Sequence, residues 1–161
     1  MNIPIRPRRN RKNPVIRGLS RETQLSPADF IYPLFLHDES SNDAIDSMPG
    51  CHRWSIDGLL GEISDAKALG IGAVVLFPAI ADSLKNPKAV ESHNPEGLVP
   101  RAIRAIKKTH PDITVITDVA LDPYNSDGHD GIVARDGRIK NDKTIEILCS
   151  QAICQAQAGA D

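Results

Sequence analysis

The chain has 161 residues, a formal net charge of −2, 40% hydrophobic, 25% charged and only 4% aromatic residues, which suits one domain of ordinary size with an aliphatic core. No apolar run approaches the ~20 residues a membrane helix needs, and residues 1–13 lack the apolar centre of a signal peptide. Cys51, Cys149 and Cys154 form no close CxxC pair, which points to a reducing compartment and away from a disulfide framework or a zinc site.

Seven basic residues (Arg6, Arg8, Arg9, Arg11, Lys12, Arg17 and Arg21) precede the first acid, Glu22, leaving 12 basic and 21 acidic residues in the rest, a balance of −9. A proline-spaced basic segment, residues 1–25, thus precedes an acidic body, 26–161. Three readings of it compete: a nucleic-acid arm, an Arg-rich transit peptide, and an arm that lies on an acidic neighbour. Missing aromatics weaken the first and sparse serine the second.

Ser26 and Pro27 then read as a capped short helical turn. Residues 30–36, FIYPLFL, read as a first buried strand in which Pro33 marks a bulge or a beginning. Residues 51–55 can add a short extended piece. Residues 56–70 read as a helix, with Leu59, Leu60, Ile63, Ala66 and Leu69 in one apolar stripe and Gly70 as its stop. Residues 72–78, GAVVLFP, read as a second strand. A polar loop, 79–94, leads to a helix over 95–110 with Val99, Ile103 and Ile106 inward. Its Arg101, Arg104, Lys107 and Lys108 read as a solvated face. Residues 114–121 read as a third strand. Residues 131–140 contain an Asp136–Gly137 hairpin signal. A last helix, capped by Asn141 or Asp142, runs to about Ala158 and stops at Gly159. Strands alternating with helices predict an α/β fold with parallel strands.

The stretch 114–131, TVITDVALDPYNSDGHDG, carries most of the chemistry. Its first half is rich in β-formers without strict alternation, which fits a parallel strand covered on both faces. Its second half is loop, with Asp118, Asp122, Asp127, Asp130 and His129 within a few residues. Acidic clusters at the carboxyl ends of buried strands are where α/β enzymes keep catalytic groups, although Asp, Asn, Ser and Gly also build ordinary turns. Asp118 is expected inside the strand, where a carboxylate is costly to bury without partners. His129 either orients Asp130 or is an exposed turn residue. Tyr124 is expected to pack under the loop.

TDVALDPYNSDGHDG resembles the metal-loop region of the porphobilinogen synthases, or 5-aminolevulinate dehydratases. RPRRNRKNPVIR, FIYPLFLHD with SMPGCHR, and VVLFPAI with GLVPRAIRAIKK resemble the same family, so the resemblance runs from Arg6 onward. It implies a (β/α)₈ TIM barrel of which this chain holds an extended N-terminal arm that wraps a neighbouring subunit and about the first three strand–helix units, truncated before the fourth strand. It implies condensation of two 5-aminolevulinate molecules to porphobilinogen with loss of two waters, in tetrapyrrole biosynthesis, and a homo-octamer that binds neither nucleic acid nor membrane.

Asp118 matches the strand aspartate beside the family's Schiff-base lysines, and Ser126 is a second, weaker catalytic candidate. Those lysines come from later strands, so the chain by itself is expected to lack activity. Zinc-dependent members carry three cysteines in this loop. Here the matching positions are Ala120, Asp122 and Asp130, hard oxygen donors that resemble the magnesium-dependent plant, algal and bacterial type. Mg²⁺ on Asp122 and Asp130 is expected in place of zinc, the alternatives being a loop that needs no metal and a family magnesium site elsewhere, on a downstream glutamate that this chain lacks. The implied location is the cytoplasm of a bacterium or a plastid stroma. An inactive paralogue that joins full-length subunits is the alternative function.

Overall fold

The computed structural model describes residues 4–5 and 8–161. Arg6 and Pro7, the start of the RPRRNR motif, lie outside the described residues. The rest of the basic segment is not wholly extended: a 3₁₀ turn at Arg9–Arg11 is followed by a short helix α1, Pro14–Leu19, whose first turn is capped by the Asn13 side chain. The described residues up to Phe30 are exposed apart from half-buried Ile16. Every hydrogen bond found for residues 8–25 stays within that segment.

The body is built on a five-stranded sheet. In chain order its strands and the body helices are β1 (Ile31–Leu36), β2 (Asp43–Ala44), β3 (His52–Trp54), α2 (Ile56–Ala68), β4 (Ala73–Pro78), α3 (Leu98–Thr109), β5 (Thr114–Thr117) and α4 (Asn141–Ala158). The strand order is β2-β3-β1-β4-β5, parallel throughout except for the β2–β3 pair. Three strand–helix units, β1–α2, β4–α3 and β5–α4, follow one another as expected.

Pro33 produces no bulge. It pairs in register with Val75 of β4, while β3 joins the other side of β1 only from Phe35 onward. The proline sits where one flank of the strand has no partner to lose.

Ser55 caps α2 through the Gly58 N–H, and Leu59, Ile63 and Ala66 go into the core. Leu69 does not: it is the helix C-cap and is 70% exposed. Helix α3 starts at Leu98, three residues later than the pattern implied, and buries Val99, Ile103 and Ile106. Its basic face is more engaged than a solvated face. Arg101 pairs with Asp38, Arg104 with Glu96, and Lys107 with Asp161.

No side chain caps α4, whose N-cap is Lys140 rather than Asn141 or Asp142. Gly159 ends it at φ +108°, a conformation costly for residues with a Cβ. Asp136–Gly137 forms the expected hairpin, with Gly137 at φ +82° and Val133 bridged to Ile139. No helix among the described residues is long and apolar enough to cross a membrane.

Candidate functional site

At the carboxyl ends of β1, β4 and β5 lies a cleft of about 270 Å³. Phe35, Leu76, Phe77 and Pro78 supply its apolar wall, and Arg53, Thr117, Asp118, Asp122 and Gln155 its polar one. Its position follows from the parallel sheet, since all three strands end on the same side and hand over to loops there.

Asp118 lies just past β5, not inside it. Pairing between β4 and β5 stops at Leu76–Thr117, and the chain beyond, although still Val-rich, leaves the sheet. The Asp118 side chain is exposed on the cleft rather than buried in a strand. Its backbone is held instead, because the Gln155 amide Nε2 donates to the Asp118 carbonyl at 3.0 Å.

The loop after it is pinned by Leu121, fully buried, whose carbonyl accepts from the Tyr124 and Asn125 N–H groups, both at 2.9 Å. Tyr124 is buried beneath the loop at 4% exposure. Burial first, then the charge of Glu91, pushes its hydroxyl far above the ordinary tyrosine range. Asn125, also buried, donates to the His129 and Gly131 carbonyls and so draws the loop into a compact turn. Asn86, from the loop after β4, donates to the Tyr124 carbonyl and accepts from the Ser126 N–H through its own backbone.

Asp122 lines the cleft, and its N–H points at Asp130 Oδ1 across 3.4 Å. Partial burial first, then the Asp130 carboxyl and the charge of Asp118, holds Asp122 above the ordinary carboxylate range. Three acids are thus assembled at the expense of mutual repulsion. Asp122 and Asp130 could hold a cation that keeps most of its waters, the habit of Mg²⁺. Among the described residues no group of three or more His, Cys, Asp or Glu is assembled for a metal, and no cysteine lines the cleft. Carboxylate oxygens are hard donors of the kind a hydrated divalent cation takes.

The remaining candidates separate from the cleft. Ser126 is exposed and lies off its lining. His129 does not orient Asp130: its Nδ1 accepts the Gly131 N–H at 2.8 Å and closes the turn. None of the eight lysines, all of them described, lines the cleft. Lys67, Lys85, Lys107 and Lys143 are engaged in ion pairs. Two polar cleft residues escaped the sequence reading. Arg53, on β3, brings positive charge to the cleft, and the only signal for it was its place in SMPGCHR. Gln155 belonged to an apparently ordinary helix pattern.

Residues 4–161 match the family model described as delta-aminolevulinic acid dehydratase. The chain is 55% identical over 158 residues to the chloroplastic delta-aminolevulinic acid dehydratase of Glycine max, covering 97% of this chain and 38% of that one. It is 54% identical over 161 residues to the chloroplastic enzyme of Physcomitrium patens, covering 99% and 37%. The crystal structure of the delta-aminolevulinic acid dehydratase (porphobilinogen synthase) of Toxoplasma gondii ME49, in complex with the reaction product porphobilinogen, superposes with a TM-score of 0.95 at 52% identity. That match covers 99% of this chain and 46% of the other. The chain therefore spans less than half the length of these relatives, and its sheet is part of a TIM barrel.

Proposed function

Because the chain belongs to the delta-aminolevulinic acid dehydratase family, we propose that it supplies the first three strand–helix units and the cleft carboxylates of an enzyme that condenses two 5-aminolevulinate molecules to porphobilinogen. The observation that carries this reading is Asp118, presented on a cleft at the carboxyl ends of parallel strands, in a chain more than half identical to enzymes of that name. Condensation through Schiff bases needs a lysine amine held near neutrality and a group to move protons. Asp118 has the exposure and the fixed backbone to hold such a lysine or shuttle its proton, and the lysines themselves would come from residues outside these 161. Ser126 lies off the cleft and receives no step.

Asp122 and Asp130 are the residues we assign to Mg²⁺. When bound, the ion supplies positive charge to a loop that otherwise carries three mutually repelling carboxylates. The basic segment 1–25, whose described residues are exposed apart from half-buried Ile16, is assigned to a homo-oligomer, an octamer by family likeness, in which it lies on the acidic body of a neighbour. The plant relatives are named chloroplastic, which supports a plastid over a bacterial cytoplasm. Identity above one half to enzymes favours catalysis over the interaction-module alternative.

The test joins this chain to the remaining length of the Glycine max relative and supplies 5-aminolevulinate. Porphobilinogen should form, survive a zinc-selective chelator, respond to Mg²⁺ and be lost on Asp118→Asn. Absence of product from a folded chimera, or a requirement for stoichiometric zinc, would refute the corresponding part.

A further inference from the structure

Beyond Thr117 the carbonyls of Asp118 and Ala120 have no strand partner, because β4 pairs with β5 only as far as Leu76. Two buried glutamines of α4 take over. Gln155 Nε2 donates to the Asp118 carbonyl at 3.0 Å and Gln151 Nε2 to the Ala120 carbonyl at 3.1 Å. The spacing fits. Four residues along a helix rise about 6 Å, and two residues along an extended chain advance about 6.6 Å, so an i, i+4 pair of amides can serve carbonyls two residues apart.

The chemistry fixes the amide orientation. A carbonyl accepts only, so each glutamine must turn its NH₂ toward the loop. Gln155 keeps its Oε1 satisfied by the Thr117 hydroxyl at 2.9 Å. Gln151 is 0% exposed, and its Oε1 finds no partner among the described residues. A buried amide oxygen left unpaired is unfavourable, and the geometry tolerates it to keep the Ala120 carbonyl bound.

We infer that Gln155 and Gln151 are positioning residues that extend the hydrogen bonding of the sheet past the end of β5 and set where Asp118 stands over the cleft. The consequence for catalysis rests on the proposed role of Asp118. The positioning itself does not.

The test uses the ¹⁵N-labelled 161-residue chain beside Gln155→Leu and Gln155→Glu. Leucine fills the space and cannot donate, and glutamate donates only when protonated. Gln155→Leu should displace the Val119 amide resonance, since Val119 shares its peptide bond with the Asp118 carbonyl. It should also raise amide exchange at Tyr124 and Asn125, which bond the Leu121 carbonyl, by about fivefold, the equivalent of one net hydrogen bond. Exchange at Ile63 in α2 should keep its rate. Gln155→Glu should restore the parent Val119 resonance at acid pH and depart from it as the new carboxyl ionises. Referencing each pH to the parent chain removes the background that both chains share. Unmoved Val119 in both variants, or identical behaviour of the two at every pH, would overturn the inference. A separate Mg²⁺ titration of the parent chain tests the proposed metal site, and silence there would leave the positioning intact.

Discussion

Leu121 anchors the aspartate loop, and its truncation gives a sharp test of how that loop is held. Leu121→Ala keeps the backbone that receives the Tyr124 and Asn125 N–H groups but removes three carbons from a fully buried site. At about 0.8 kcal/mol per buried carbon the transfer loss is about 2.4 kcal/mol. The cavity left in the core cluster that Leu121 shares with Tyr124 and Ile132 raises the cost to about 3–5 kcal/mol, depending on how far the loop collapses into it. For a chain of this size that corresponds to a fall in melting temperature of about 6–20 °C. Leu69→Ala is the matched control. It deletes the same carbons from a side chain that is 70% exposed, and should stay within about 0.5 kcal/mol. Urea unfolding followed by circular dichroism gives both values. Equal losses in the two variants, or a Leu121→Ala loss below about 1 kcal/mol, would refute the assignment of Leu121 as anchor.

Three further outcomes are expected. Folding favours the protonated form of Asp122, whose value is raised above 3.8, so its contribution is present at low pH and lost as pH rises through the raised value. Asp130→Asn removes one of the repelling carboxyls, so the variant should lose less stability than the parent as pH rises above the ordinary carboxylate range in paired urea titrations; a larger loss would contradict the repulsion. Deleting residues 1–21 should leave the unfolding midpoint of this chain unchanged, because those described are exposed apart from half-buried Ile16, and should lower the mass of the full-length chimera in light scattering. Borohydride trapping with 5-aminolevulinate should add no substrate mass to the 161-residue chain, since no lysine lines the cleft. A single-site adduct would show that one of the eight can be reached in a sheltered form.

Local pattern determined much of this protein. Branched and aliphatic runs placed β1 and β4 within a residue. The stripe Leu59, Ile63 and Ala66 placed α2, Gly159 ended α4, and Asp136–Gly137 made its hairpin. In each case the cause lies within a few residues: a cap, a left-handed glycine, a period of burial. The run of residues resembling a known loop also located the acidic cluster before any contact was visible.

What only the tertiary structure decided depends on residues far apart in the chain. TVITDVAL reads as strand to Leu121, yet β5 ends at Thr117, where its pairing with β4 stops at Leu76 although β4 itself runs on to Pro78 beside β1. Strand length belongs to the pair of strands, so Asp118 moves from a buried position to the cleft. Leu69 continues the stripe of α2 but caps the helix and is left 70% exposed. Arg101 meets Asp38 from 63 residues away, and Gln155 reaches the Asp118 carbonyl across 37. Such pairings carry no local periodicity. They arise because the sheet brings loop and helix ends to one side, where unpaired backbone groups and charges must find partners wherever the fold supplies them.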